Sequence, residues 1–296
     1  MFRRFFIMIG LFATFGLLRS ARAEEAVQNH LVDVVYEHKE GVALTMDVFK
    51  PEKPNGIGVL WIVSGGWFSN HNDINPELAK YFNSRGITLF EVVHGSRPRF
   101  FLPEIIQDIN RAVRFVRTHA ADWNVDPNRL GISGGSAGGH LSLMIGAYGG
   151  PGDPNAKDPV DRASSEVEAV ACFFPPTDFL NYGKEGENAM KLDKFKAYWH
   201  VLGVTDQTTE AERIKIGHDV SPIYGNLSKM PPTLIIHGDA DTLVPLQQSE
   251  RFMDALEKNK IPHKLIIHKG GGHNWPGIGK YSVQLVDWFE KYLGKK

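Results

Sequence analysis

The chain has 296 residues, 42% of them hydrophobic and 23% charged, with 33 Lys+Arg against 34 Asp+Glu. That balance belongs to a folded globular protein and excludes disordered and collagen-like classes. A formal charge of −1 provides no basic field for a phosphate backbone, so nucleic acid is not an expected partner.

Residues 1–23 read as an export signal rather than as part of the fold. Arg3 and Arg4 precede an apolar run from Phe5 to Leu18, and Ala21-Arg22-Ala23 supplies small residues where a signal peptidase cuts. The run is shorter than the roughly 20 residues needed to cross a bilayer. Cleavage after Ala23 would remove four arginines and leave residues 24–296 with a formal charge near −5. No later stretch is long and apolar enough to span a membrane, so the expected product is secreted or periplasmic, without stable membrane insertion once the leader is gone. Cys172 is the sole cysteine, which leaves no intramolecular disulfide, and its apolar neighbours predict a buried core position.

Residues 24–296 carry no linker, repeat or low-complexity tract and read as one domain. Alternating polarity predicts two antiparallel edge strands, Leu31 to Glu37 and Val42 to Phe49. Short β-rich runs then alternate with amphipathic stretches: Ile57 to Val63 with Pro76 to Arg85, Ile87 to Val93 with Pro103 to Ala121, and Leu130 to Ser133 with Ser136 to Tyr148. Later strands are expected at Val167 to Phe173, Thr233 to His237 and Lys264 to His268, with helices at Leu246 to Lys258 and Tyr281 to Leu293. This order predicts an α/β fold with a mainly parallel central sheet and helices on both faces. The polar stretch from Asp178 to Met230 breaks the alternation and carries only short helical pieces, near Ala189 to Val201 and Thr209 to Ile216. A connection of that length is read as a small cap insertion over the C-terminal edge of the sheet, at about 178–230.

Gly134-Gly135-Ser136-Ala137-Gly138 lies between a predicted strand and a predicted helix. Glycines on both sides of a serine permit the sharp turn that exposes its hydroxyl at a helix N-terminus. A serine hydroxyl needs a base, and the base needs an acid to fix its tautomer. His237 to Pro245 follows one strand and contains Asp239 and Asp241, whereas Gly270-Gly271-Gly272-His273 follows the next. We therefore expect Ser136 as nucleophile, His273 as base and Asp241 as acid, with Asp239 a turn former. The amide of Ala137 and those of Gly65 and Gly66, in the loop after Ile57 to Val63, are the candidate oxyanion donors. Of the twelve histidines, His140 is expected to pack beneath the turn, and His237 and His268 to be core or turn residues. No His or Cys spacing fits a metal site, and no metal or other cofactor is expected. Trp67 and Trp275 flank site residues and are candidate substrate-binding platforms for a sugar or phenolic ring, with core packing as the alternative.

With these residues in hand, the chain resembles the α/β-hydrolase superfamily over nearly its whole length after the leader. It is similar to the hormone-sensitive-lipase-like carboxylesterases and, more closely, to the bifunctional acetyl xylan and feruloyl esterase domain. Gly65-Gly66-Trp67, Gly134 to His140, Pro175-Pro176-Thr177-Asp178, His237 to Pro245 and Gly272-His273 carry the resemblance. It implies a Ser-His-Asp esterase that forms an acyl-enzyme on short acyl or feruloyl-type esters, as small molecules or on plant polysaccharides. Two departures stand out. Val63 and Ser64 occupy the positions of the histidine and first glycine of the relatives' His-Gly-Gly-Gly-Trp, so the side chain that braces their loop is missing. Their Tyr-Arg pair after the next strand is replaced by His94-Gly95-Ser96-Arg97. Two other readings stay open: a prolyl-oligopeptidase-like serine peptidase, whose usual N-terminal propeller has no counterpart here, and a non-catalytic carbohydrate-binding protein on a hydrolase fold.

Overall fold

In the computed structural model, which describes residues 29–295, β1 (His30–Lys39) and β2 (Val42–Phe49) form the expected antiparallel hairpin around Glu40-Gly41. The leader expected at residues 1–23 lies outside the described residues. The hairpin joins β3 (Gly58–Val63), β4 (Thr88–Val93), β5 (Leu130–Gly135), β6 (Ala169–Phe173), β7 (Thr233–Gly238) and β8 (His263–His268) in one sheet. Its strand order is β1-β2-β4-β3-β5-β6-β7-β8. β2 runs antiparallel to β1 and β4, and every pair from β4 to β8 is parallel. Parallel strands need crossovers, and the amphipathic stretches provide them.

The two faces bury two apolar layers. α1 (Pro76–Asn83) and α7 (Ser282–Leu293) cover Val59, Leu89, Ala171, Leu234 and Ile236. α2 (Leu102–Thr118), α3 (Ala137–Tyr148) and α6 (Gln247–Lys258) cover Leu60, Ile62, Phe90, Val92, Ile132 and Cys172 on the other face. The period-two exchange of strand residues between the layers accounts for the nearly continuous apolar strands. α2 buries Ile105, Ile109, Ala112, Val113 and Val116, which recur at steps of three and four along one face. It ends at Thr118, earlier than the pattern indicates; Ala120–Trp123 tightens into a 3₁₀ turn closed by Asn124 in the left-handed region (φ 55°). Cys172 is fully buried, and burial pushes its thiol well above the usual range, as expected of a core residue.

Between β6 and β7 the chain follows 3₁₀ turns at Ala189–Lys191 and Asp193–Tyr198, then α4 (Trp199–Leu202) and α5 (Glu210–Asp219). Thr209 caps α5 in a capping box with Glu212. Although this stretch is polar overall, it buries Phe179, Tyr182, Phe195, Val201 and Leu202 against the α3 side of the sheet. Among the described residues, no helix is long and apolar enough to cross a membrane.

Candidate active site

Ser136 stands between β5 and α3 with φ 53° and ψ −116°, a backbone state that costs energy in any residue with a Cβ. Its neighbours permit the turn by having no side chains. A Cβ on Gly134 would come within 2.5 Å of the Gly138 carbonyl carbon, and one on Gly138 within 2.5 Å of the Ile62 carbonyl oxygen. The Ser136 amide donates to the Phe173 carbonyl at 3.0 Å, which ties the elbow to β6. The hydroxyl therefore projects at the start of α3, above the C-terminal ends of the parallel strands.

The loops after β7 and β8 bring the acid and the base to it. His273 Nε2 lies 2.8 Å from Ser136 Oγ, and His273 Nδ1 lies 2.7 Å from Asp241 Oδ2. Asp241 Oδ1 accepts hydrogen bonds from the amides of Leu243 and Val244, each at 2.9 Å. His237 approaches Asp241 Oδ2 at 3.3 Å, while its Nε2 also lies 2.9 Å from the Val244 carbonyl and its Nδ1 2.7 Å from Ser249 Oγ. Burial alone would raise the Asp241 pKa; the hydrogen bonds from His237, His273 and Val244 outweigh it and hold the carboxyl well below the usual carboxylate range. Asp241 is thus a fixed anion, suited to orient one tautomer of His273. Asp239 is expected to bond its own turn; instead its carboxylate accepts from the Gly270 amide and joins the two loops. The Phe174 ring packs against the His273 imidazole, with centroids 4.6 Å apart.

The oxyanion loop corrects one expectation. The Gly65 amide donates to the Phe68 carbonyl at 2.8 Å, and the Phe68 amide returns a bond to Gly65 at 3.0 Å, so Gly65 has no hydrogen to offer a substrate. A tight turn at this point consumes the donor. Among the described residues, the amides of Gly66 and Ala137 have no backbone or side-chain acceptor, and both residues line the recess beside Ser136. The Ala137 amide is free because it opens a helix.

The two tryptophans are also placed differently from a stacking platform. Trp67 is 3% exposed and donates from Nε1 to His140 Nδ1 at 3.1 Å. It walls a recess beside Ser136. Trp275 is 5% exposed, stacks on His268 and packs edge-on to Phe174 and Tyr281, so it supports the His273 loop from behind. Adjacency to a site residue in sequence did not place either ring at the surface. His140 lies beneath the turn as expected; its Nε2 reaches the Val220 carbonyl at 2.7 Å, and burial lowers its pKa to about 4, so it stays neutral. Arg97 donates to the Ala197 carbonyl and lies over the Tyr198 ring.

Two cavities meet at Ser136. One is a recess of about 20 Å³, walled by Trp67, Pro176, Tyr182, Phe195, Tyr198, Leu243 and Val244. The other is an open groove of about 600 Å³, bounded by Trp61, Leu78, Phe173, Phe174, Tyr198 and Ile278, with Ser64, Gly66 and His273 along it. Tyr182, Phe195 and Tyr198 come from the β6–β7 connection. Their only sequence signal is an aromatic set in an otherwise polar stretch. Away from the groove, Asp33, Asp47 and His71 gather with their ligand atoms within 4.8 Å of one another, a grouping invisible in the sequence because three separate segments supply it. His30 and the Asp33 amide hydrogen-bond to Asp47 there.

With β2 reversed at one edge and the acid and histidine arriving after β7 and β8, the topology is that of the α/β-hydrolases. Within that class the chain belongs to the BD-FAE family, which it matches over residues 46–256. It is 29% identical to the probable carboxylic ester hydrolase LipM of Mycobacterium tuberculosis, over 68% of this chain and 45% of that protein. It is also 29% identical to the acetylxylan esterase of Xylanibacter ruminicola, over 81% of this chain and 46% of that protein. The chain thus spans less than half the length of these curated relatives. Among solved structures, a truncated carbohydrate esterase from gut microbiota superposes with a TM-score of 0.77 at 27% identity, covering 90% of this chain and 96% of that one.

Proposed function

We propose that this chain is an exported serine esterase that removes short acyl groups, acetyl above all, from bulky alcohols such as those of plant polysaccharides. The observation that carries the reading is the continuous Ser136–His273–Asp241 hydrogen-bond chain beside two unpaired amides, those of Gly66 and Ala137, in the recess that adjoins the groove. Ser136 Oγ attacks the ester carbonyl carbon while His273 Nε2 takes its proton. The amides of Gly66 and Ala137 receive the charge that develops on the carbonyl oxygen. His273 then returns the proton to the departing alcohol; a water deprotonated by the same nitrogen attacks the acyl carbon, and His273 passes that proton to Ser136 Oγ as the acid leaves. The leader at residues 1–23 supports export, and the acetylxylan and carbohydrate esterase relatives support an acylated carbohydrate as substrate.

The cavities support the short acyl group. A volume of about 20 Å³ admits little more than one water-sized group, so the recess takes a methyl, while the open groove has room for the alcohol. The specificity constant on p-nitrophenyl esters is expected to fall about 10-fold or more from acetate to butyrate and further to octanoate, with the feruloyl ester slow. Tyr198→Ala, which opens one wall, is expected to flatten that decline. A flat wild-type profile, or faster turnover of the feruloyl ester, would put the acyl group in the groove instead.

Labelling by a fluorophosphonate tests the mechanism: one phosphonyl group should appear on the peptide that contains Ser136. Labelling with peptide cleavage and no ester turnover would indicate a peptidase, and no labelling would indicate a binding protein.

A further inference from the structure

We propose that His94 is a positioning residue for the oxyanion loop, acting through the Ser64 hydroxyl, and that this pair replaces the bracing histidine absent at position 63. The proposal rests on the esterase reading given above. Ser64 directly precedes the Gly65–Phe68 turn that presents the Gly66 amide, and its Oγ lies 2.8 Å from His94 Nε2. His94 follows β4, the strand adjacent to β3, so the bond crosses from one strand end to the next. The partners of the ring settle its tautomer. Nδ1 faces the Gly95 carbonyl, which can only accept, so Nδ1 carries the proton and Nε2 accepts the one from Ser64.

The rest of the network holds His94 still. Its amide donates to Ser69 Oγ at 3.2 Å, and Ser69 Oγ donates to the Val63 carbonyl at 2.5 Å, at the root of the loop. The Gly95 amide donates to Asp108 Oδ2 at 3.0 Å, and Lys39 Nζ lies 2.7 Å from the other oxygen of Asp108. Groups on β1, β3 and α2 therefore fix the ring, and the ring fixes Ser64. Burial lowers the His94 pKa to about 4, which keeps Nε2 an acceptor across the neutral range. Ser64 and His94, which lie in the two stretches that depart from the relatives' pattern, are the two ends of this one bond.

The function of such a brace is to hold the Gly66 amide where the oxyanion forms, which affects the transition state more than the ground state. Ser64→Ala is expected to lower kcat by roughly 10- to 100-fold while KM on p-nitrophenyl acetate changes little. His94→Ala should have the same effect, and the double variant should be no slower than either single one, because the three share one interaction. His94→Gln, whose carboxamide oxygen reaches the Nε2 position, should recover most of the rate. Full kcat in Ser64→Ala, or losses that multiply in the double variant, would overturn the proposal. A defect in His94→Ala that accompanies a lowered Tm and is absent from Ser64→Ala would also overturn it, since that marks a purely structural role. Fluorophosphonate labelling separates this outcome from failure of the underlying reading: an unlabelled wild type defeats both, whereas a wild type and Ser64→Ala labelled at equal rates defeat the brace alone.

Discussion

Asp241→Asn is expected to lower kcat about 10⁴-fold on p-nitrophenyl acetate while KM stays within a factor of about 2. The hydrogen bonds around the carboxylate dictate this loss. Oδ1 accepts from two backbone amides, Leu243 and Val244, and an asparagine can meet both only by keeping its oxygen there. Its NH₂ group must then occupy the place of Oδ2, facing His273 Nδ1 and His237 Nε2. Because His237 Nε2 also faces the Val244 carbonyl, it carries a proton and cannot accept. His273 must therefore turn Nδ1 into an acceptor and put its proton on Nε2, where it can no longer take the proton of Ser136. The elbow and the groove are untouched, so binding of the ester persists. Steady-state kinetics of the folded variant provide the check, and a decrease of less than about 10-fold would remove Asp241 from the role assigned to it.

Much of this site was legible because strand ends and motifs put it there. The glycines around Ser136 announce a turn that no other residue type permits, and Asp241 and His273 each follow a β-rich run, so the fold had to bring them to one edge. The choice of Asp241 over Asp239 was also readable, but the partner of Asp239 was not: its carboxylate accepts from the Gly270 amide in the neighbouring loop rather than from its own turn. What stayed hidden depends on where backbone hydrogens go. Gly65 and Gly66 look alike in sequence, yet the first spends its amide on Phe68 and the second keeps it. Ser64 and His94 are 30 residues apart, and nothing in their local patterns indicates that β3 and β4 end side by side. Trp275 shows the reverse error: proximity along the chain to His273 pointed to the groove, but the ring packs against His268 and Tyr281. His237 was rightly read as a buried histidine, while its contact with Asp241 depends on how the loop folds back.

Stability should carry a pH signature from a carboxylate remote from the chemistry. Glu91 on β4 is fully buried, opposite Asp47 on β2 and beside Trp61 on β3. Its Oε2 accepts from the Asn75 amide at 2.7 Å, and its Oε1 is buried without a partner. Burial raises its pKa, the Asn75 amide opposes that, and the neighbouring charge of Asp47 adds to the rise, leaving Glu91 at about 7. In the unfolded chain the same group titrates near 4.5. Between these values the folded state holds a proton that the unfolded state has released, so stability falls as pH rises from about 4.5 to about 7 and the loss is complete above that. Glu91→Gln stays neutral throughout, keeps an oxygen for Asn75 and places an NH₂ group on the side of the unpartnered Oε1. Its stability should match the wild type near pH 4.5 and exceed it by about 3 kcal/mol at pH 8. Urea unfolding of both proteins at the two pH values measures this difference directly, because His30, Asp47 and every other titrating group are common to both. A gain of equal size at both pH values would assign the effect to packing alone, and no gain at pH 8 would mean that the Glu91 carboxylate is solvated in the native state.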